Sequence, residues 1–305
     1  MKKYFALLSC ALMALTACEN NALEESTVMN PATVNDPQEV TLTFSPYEQE
    51  AMTRAGVECS SVLPTRAATR AGGEATNIAT IATRLDVWLY TDGQEVQAIH
   101  QTNADADFGT VAMTLDKRKT YTLYACAHKD TGAATLQDGV ITWPGVKMTH
   151  SMFYTQTFTP AETTTLSCLM QRIVAQFRLE TTDAVPTEAD RITIAVDQAP
   201  AAWNVSGYGM NPRDYTATYQ GYNLNQDGSV TLSAFVIADP DESTLHTVTV
   251  TAYDTDGQPL QQRTFEDVPL RNGYRTVYRG AFFTDAAFTS TFTVADWQEF
   301  DTVEF

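Results

Sequence analysis

The sequence predicts an all-β protein made of two β-sandwiches in tandem. Short apolar runs alternate with polar residues at a period of two, the mark of half-buried strands. Turn dipeptides such as Asp92-Gly93 and Asp256-Gly257 separate these runs, because glycine tolerates positive φ. Helical periodicity over roughly ten residues or more is missing beyond the N-terminal leader. The chain of 305 residues has room for two domains of ordinary size, and many short strands between turn signals suit sandwiches.

The leader comes first. Lys2 and Lys3 precede an apolar stretch from Tyr4 to Thr16 that is too short to span a bilayer. Leu15-Thr16-Ala17-Cys18 has the form of a bacterial lipobox, with small residues ahead of a cysteine whose sulfur can carry a diacylglycerol thioether. Residues 1–17 therefore read as a lipoprotein signal peptide and Cys18 as the lipidation site. Each buried methylene adds about 0.8 kcal/mol, so several acyl chains would hold the protein on a membrane.

Residues 18–38 are polar, with turn formers at Asn30-Pro31 and Asp36-Pro37, and predict a flexible tether. Val40, Leu42 and Phe44 then alternate with Thr41 and Thr43, a short half-buried strand. The pattern disappears over residues 50–76, where Arg54, Arg66 and Arg70 each sit in a Thr-Arg-Ala triplet. A long unpatterned segment between strands is expected to be functional or disordered.

From Leu85 onward strand patterns dominate. Leu85, Val87 and Leu89 form one apolar face, opposite Asp86, Trp88 and Tyr90. Val111, Met113 and Leu115 follow, then Tyr121, Leu123, Ala125 and Ala127. Ile173, Ala175, Phe177 and Leu179 are expected to close the first domain, residues 39–182. Asp183 to Asp190, with Pro186, marks the boundary. In the second domain, residues 183–305, strands are expected at Ile192–Val196, Val230–Val236, Val248–Ala252 and Tyr274–Phe283, with a further alternation at Phe288, Ser290, Phe292 and Val294.

Net charge is −18, from 37 acidic and 19 basic residues. Such a surface repels nucleic acid and anionic headgroups, so neither is an expected partner. With Cys10 in the leader and Cys18 given to lipid, Cys59, Cys126 and Cys168 remain. An odd number argues against a full disulfide framework; Cys126 and Cys168 could bridge, or stay buried as free thiols.

Motifs for chemistry are weak. Asn223 to Gly228 imitates half of a calcium loop, but Ala234 stands where a bidentate Glu is required. Asn103, Asp105 and Asp107 alternate, but Phe108 stands where glycine is needed. His100, His128, His150 and His246 are scattered, and no Gly-x-Ser-x-Gly nucleophile motif occurs. The expectation is no enzyme, no metal and no cofactor. Trp203, Tyr208, Tyr215, Tyr219 and Tyr222 could form a surface patch for stacking on sugars, or could be ordinary sandwich tyrosines.

Several segments together resemble the fimbrillin-like lipoproteins of Bacteroidales, the subunits of type V pili. They are the lipobox with its acidic tether, the early strand followed by Thr-Arg-Ala sites, Leu169 to Phe177, and Val268-Pro269-Leu270-Arg271-Asn272-Gly273-Tyr274-Arg275-Thr276-Val277-Tyr278-Arg279-Gly280. Leu169 to Phe177 is similar to the strand closing that family's first domain, and the last segment to its penultimate C-terminal strand.

The resemblance implies two transthyretin-like, Greek-key sandwiches and a lipoprotein precursor displayed on the outer membrane. An Arg-specific surface protease cuts such precursors, one strand leaves, and a strand of a neighbouring subunit fills the groove, building a fimbrium that contributes to adhesion. Here Arg54, Arg66 and Arg70 would be the cleavage candidates. Val40, Leu42 and Phe44 would mark the displaced strand, expected at a sheet edge. The tail 297–305, with Trp297, Phe300, Val303 and Phe305, is either the donor or simply the last strand of its own domain. The alternative is a monomeric surface lipoprotein that captures a glycan or a host protein; a host or bacterial ligand is also a candidate partner.

Overall fold

A computed structural model of the protein describes residues 36–46, 78–130, 132–144, 149–160, 165–238, 244–284 and, for the backbone alone, 291–296. Among these, regular structure is β apart from a 3-10 turn at Ile78–Thr80. The chain is all-β, as its alternation predicts.

The first half contains β1 (Pro37–Pro46), β2 (Arg84–Thr91), β3 (Gln94–Thr102), β4 (Thr110–Asp116) and β5 (Tyr121–His128). The short β6 (Thr135–Gln137) and β7 (Val140–Thr142) follow, then β8 (Ser151–Phe158) and β9 (Thr165–Arg172). Seven of these form a sheet in the order β3-β2-β5-β8-β9-β1-β4. The β8–β9 join rests only on Met152↔Arg172 and Phe153↔Gln171, so the sheet folds over there into two layers. Between the layers lies one apolar core, with Leu42, Leu85, Leu115, Tyr121, Leu123 and Met170 among its members.

The second half contains β10 (Val174–Thr181), β11 (Arg191–Ala199), the short β12 (Ala202–Asn204) and β13 (Tyr208–Met210), and β14 (Arg213–Gln220). It continues with β15 (Thr231–Ile237), β16 (Leu245–Tyr253), β17 (Pro259–Pro269), β18 (Tyr274–Gly280) and β19 (Thr291–Asp296). Its two layers run β15-β10-β18-β19 and β14-β11-β16-β17. The connectivity repeats that of the first half. In each half the opening strand (β1, β10) lies between an antiparallel neighbour (β4, β15) and a parallel one (β9, β18).

The alternation at Asp92-Gly93 produces the expected β2–β3 hairpin. Both residues have positive φ, 52° and 74°, the turn whose twist matches that of paired strands.

Two expectations are corrected. Ile173, Ala175, Phe177 and Leu179 do not close the first half: Val174–Thr181 hydrogen-bonds to β15 and β18 of the second. The segment Leu169 to Phe177, read as one strand, breaks at Ile173, whose N–H donates to Ser151 O, and strand partners change there rather than at 183. Periodicity continues almost unbroken across the break, so pattern alone does not reveal it. The strand expected over Tyr274–Phe283 stops at Gly280. Beyond it the Asp183 carboxylate accepts the N–H groups of Phe282, Phe283 and Thr284 at 2.7–2.8 Å, replacing ladder partners.

The halves share a contiguous apolar cluster. Trp88, Cys126, Ile141 and Phe153 of the first half belong to the same cluster as Phe177, Val196, Trp203 and Phe265 of the second. Strand β2 is consequently buried on both faces. Leu85, Val87 and Leu89 point into the first core, while Asp86 and Trp88 on the opposite face are also buried. A small sheet in the order β13-β12-β7-β6 bridges the halves, with Trp203 opposite Ile141 and Asn204 opposite Val140.

Candidate functional site

Strand β1 is the segment to which sequence reasoning assigns a removable role. Its alternation buries Val40, Leu42 and Phe44 to 1%, 0% and 5% exposure, while Thr43 is exposed. These three side chains plug the first core. Burying side chains of this kind stabilises by roughly 1.5–3 kcal/mol each.

The expectation of an edge position is corrected. β1 is an internal strand, antiparallel to β4 from Pro37↔Asp116 to Thr43↔Thr110 and parallel to β9 from Thr41↔Thr165 to Pro46↔Met170. Removing it would open a slot with unpaired N–H and C=O groups on both walls. An edge strand would expose only one. Apolar alternation reports which face is buried but not how many neighbours a strand has.

Polar contacts fasten both ends. Near the start, Lys117 N–H donates to Asp36 O, and the Lys117 ammonium lies 3.0 Å from the Asp36 carboxylate. Thr114 Oγ1 donates to Glu39 Oε1 at 2.6 Å. Near the end, Phe44 N–H donates to Gly109 O at 2.8 Å. Gly109 has φ +87°, and a Cβ there would meet Ile78 Cγ2 at 2.7 Å, so the close approach calls for glycine. Gln101 supports this turn, accepting from Gly109 N–H and donating to Thr110 O.

The remaining residues assigned from sequence lie outside the described residues. They are Cys18, the cleavage candidates Arg54, Arg66 and Arg70, and the donor candidates Trp297, Phe300, Val303 and Phe305. In sequence the three arginines lie between Phe44 of β1 and Ile78, both members of the first core. Strand β19, directly ahead of the tail, pairs with β18 from Tyr274↔Asp296 to Arg279↔Thr291.

The aromatic set does not form a surface patch. Trp203, Tyr215 and Tyr219 are buried, Tyr219 donates its hydroxyl to Ser233 O, and Tyr222 is half-buried with its hydroxyl on Ala189 O. Tyr208 alone of the five is exposed, at 47%. The alternation Tyr215, Ala217, Tyr219 gives β14 an inward tyrosine face.

Cys126 and Cys168 are buried free thiols in different apolar clusters. Burial pushes the Cys168 thiol up to about 12, although a hydrogen bond to Tyr154 opposes the shift. Burial raises Cys126 as well, followed by the nearby Asp86 carboxylate. Neither is poised as a nucleophile.

One polar cluster escaped sequence reasoning. Asp86, fully buried, lies 2.7 Å from His100 Nδ1 and 2.8 Å from His128 Nε2, and accepts Ala134 N–H at 2.8 Å. Asp130 N–H donates to His128 Nδ1, which leaves Nε2 carrying the proton given to Asp86. Burial works to raise the Asp86 pKa, but the His100, His128 and Ala134 hydrogen bonds prevail and it is lowered. The histidines are far from Asp86 in sequence and arrive by strand pairing, Asp86↔His100 on β3 and Asp86↔Cys126 on β5. An aspartate within an otherwise apolar strand is the signal that could have found it. Among the described residues no His, Cys, Asp and Glu group is arranged to hold a metal ion.

Residues 148–302 match the model of a family of unknown function (DUF6562). The chain belongs to that family. No curated protein sequence matches it. Among solved structures, a candidate adhesin from Bacteroides thetaiotaomicron superposes with a TM-score of 0.51 at 11% identity, covering 86% of this chain and 97% of that one. The fimbrial anchor protein Mfa2 from Porphyromonas gingivalis gives a TM-score of 0.46 at 15% identity, covering 86% and 98%. A candidate cell adhesion protein from Bacteroides eggerthii gives 0.48 at 9% identity, covering 87% and 97%. At 11% identity the likeness to the Bacteroides thetaiotaomicron protein concerns the fold, and this DUF6562 member shares it from the first sandwich into the second.

Proposed function

We propose that the protein is a structural subunit of a cell-surface fimbria, made as a lipoprotein precursor, trimmed by an Arg-specific protease and assembled by strand exchange. One observation carries the reading: the first core is completed by an internal strand, β1, which is followed by a segment rich in arginine sites. The fold shared with a candidate adhesin suits this role. Its partners are neighbouring subunits, the outer membrane through lipid on Cys18, the protease, and a host or bacterial ligand for adhesion.

The physics follows from the slot. A cut at Arg54, Arg66 or Arg70 leaves β1 held by noncovalent contacts alone. Three buried apolar side chains hold it by roughly 5–9 kcal/mol in total, and the ladders on both sides add to that. β1 therefore does not drift away. A competing strand must displace it while filling the same pockets, because each buried polar group left unpaired costs on the order of 1–3 kcal/mol. Residues 297–305 would supply that strand to the next subunit, with Phe300, Val303 and Phe305 as pocket fillers.

The test is proteolysis of the purified full chain with an Arg-specific protease, followed by electrophoresis without boiling. A ladder of stable multimers is expected. A cleaved product that stays monomeric at high concentration would reject the proposal and leave the monomeric binding lipoprotein, a reading weakened by the burial of the aromatic set.

A further inference from the structure

Strand β4 ends the first-half sheet and pairs with β1 on one side only. Its outer edge can be read group by group. Lys117 N–H donates to Asp36 O at one end of the β1–β4 ladder, and Phe44 N–H donates to Gly109 O at the other. Hydrogen-bonded pairs alternate along an antiparallel ladder, so Val111, Met113 and Leu115 aim their backbone groups at β1. Thr110, Ala112, Thr114 and Asp116 aim theirs outward. The two ends of this edge are closed. Thr110 N–H donates to Asp107 O, and Thr110 O accepts from Gln101 Nε2. Asp116 N–H donates to the Tyr121 hydroxyl, and Asp116 O accepts Lys119 N–H. At the centre, the N–H and C=O groups of Ala112 and Thr114 meet no hydrogen-bond partner among the described residues.

Open sheet edges are normally blunted by charge, proline or a bulge. Strands β3, β14 and β17 follow that rule: each carries charged residues and pairs with its neighbour through a shifted register. Strand β15 is closed differently, since Tyr219 donates its hydroxyl to Ser233 O. β4 has none of these devices. It pairs with β1 without a shift, and Thr110 to Leu115 contains no charge, proline or glycine. Charge collects instead at its two ends. Asp105 and Asp107 are exposed just before β4, and Arg118 and Lys119 are exposed just after it. Arg118 is paired with Asp116, whereas Asp107 and Lys119 make no ion pair among the described residues.

We propose that the β4 edge docks a second copy of this chain, antiparallel, about a two-fold axis at Met113. In that register Ala112 stands opposite the second copy's Thr114, and Thr114 opposite its Ala112. The open N–H groups of each copy then meet the open C=O groups of the other. The same register brings the acidic start of β4 beside the basic end of the second copy's β4, with Asp107 toward its Lys119. A parallel arrangement would set like charges together. An isologous contact requires a self-complementary surface, and an open strand with opposite charges at its ends is one. The contact needs no cleavage and leaves β1 in place, so it is separate from strand exchange.

The test is sedimentation of the uncut full chain over a range of concentrations. The wild type is expected to show a monomer–dimer equilibrium. Ala112→Pro removes an outward N–H and no bond to β1, so it should weaken the dimer at least about tenfold. Lys119→Glu and Asp107→Lys should each weaken it about threefold or more, because each sets like charges together twice per dimer. The two reversals combined should restore the wild-type affinity. A wild type that stays monomeric at about 1 mM overturns the proposal and leaves the edge to some other chain. A dimer indifferent to Ala112→Pro or to the single reversals overturns it as well. Asp107 and Lys119 are exposed, so the charge arm stands whether or not Ala112→Pro folds. Because the chain is not cut, failure here leaves the strand-exchange reading intact.

Discussion

Trp203 of the second half stands directly opposite Ile141 of the first, across the antiparallel β12–β7 pair. Trp203 is 3% exposed, and its ring lies 6.3 Å from Phe153, which belongs to the first half. The two sandwiches are therefore joined through side-chain packing and a backbone ladder as well as through the chain at Ile173. Trp203→Ala should cost about 3–5 kcal/mol. Urea denaturation followed by hydrogen exchange at Ile141 checks it: a loss below about 1 kcal/mol, with Ile141 protection retained, would show that the bridge contributes little.

Leu42 and Thr43 are neighbours in β1 that face opposite ways. Leu42 is fully buried between the layers, and Thr43 is exposed. Leu42→Ala should destabilise by about 2–5 kcal/mol, and Thr43→Ala should stay within about 0.5 kcal/mol. Equal effects of the two in equilibrium denaturation would contradict the inward register of the strand.

Asp86 is a buried carboxylate held by two histidines and a backbone N–H. Asp86→Ala should cost about 3–5 kcal/mol near neutral pH, because it strips the partners of buried polar groups. Since the folded carboxylate has a pKa below its ordinary 3.8, it contributes stability above that pH, and the contribution is lost as pH falls through the lower folded value. The gap between wild type and Asp86→Ala in urea midpoints should therefore narrow below about pH 4. A gap that is constant from pH 7 to pH 3 would remove the carboxylate from the account.

His150 behaves in the opposite sense to a surface histidine. Burial first, then the charges of Arg172, Lys129 and Arg275, lower its pKa from 6.5 to about 3. Between those values the unfolded chain binds a proton at His150 that the folded chain does not. Stability at this residue is thus fully present above pH 6.5 and declines as pH falls toward 3. The variant His150→Phe, which keeps a ring over Phe235, should lose less stability than wild type between pH 7 and pH 4. A ring carbon resonance of His150 that titrates near 6.5 would refute the assignment.

Much of the fold is legible in local pattern, for a plain reason. Side chains alternate across a strand, so Val111-Met113-Leu115 or Val248-Val250-Ala252 announces both the strand and its inward face. The Asp92-Gly93 turn announces its hairpin because a two-residue connection requires positive φ. Val40, Leu42 and Phe44 are legible in the same way, down to which side chains reach the core. The polar residues of β2 mislead because alternation assumes one wet face. Trp88 packs in the cluster shared with the second half, and Asp86 is enclosed by His100, His128 and Ala134, brought to it by pairing within the first half.

The amino-acid sequence alone determined that this is a β protein, where most of its strands lie and which residues of β1 face inward, since these depend on neighbours two positions apart. Only the tertiary structure decided that β1 is walled on both sides, that β10 belongs to the second half, and that Asp86, His100 and His128 meet. Each of these is a matter of which strand lies beside which. Hydrogen bonds between backbones carry no side-chain identity, so partner choice is settled by packing of the whole chain.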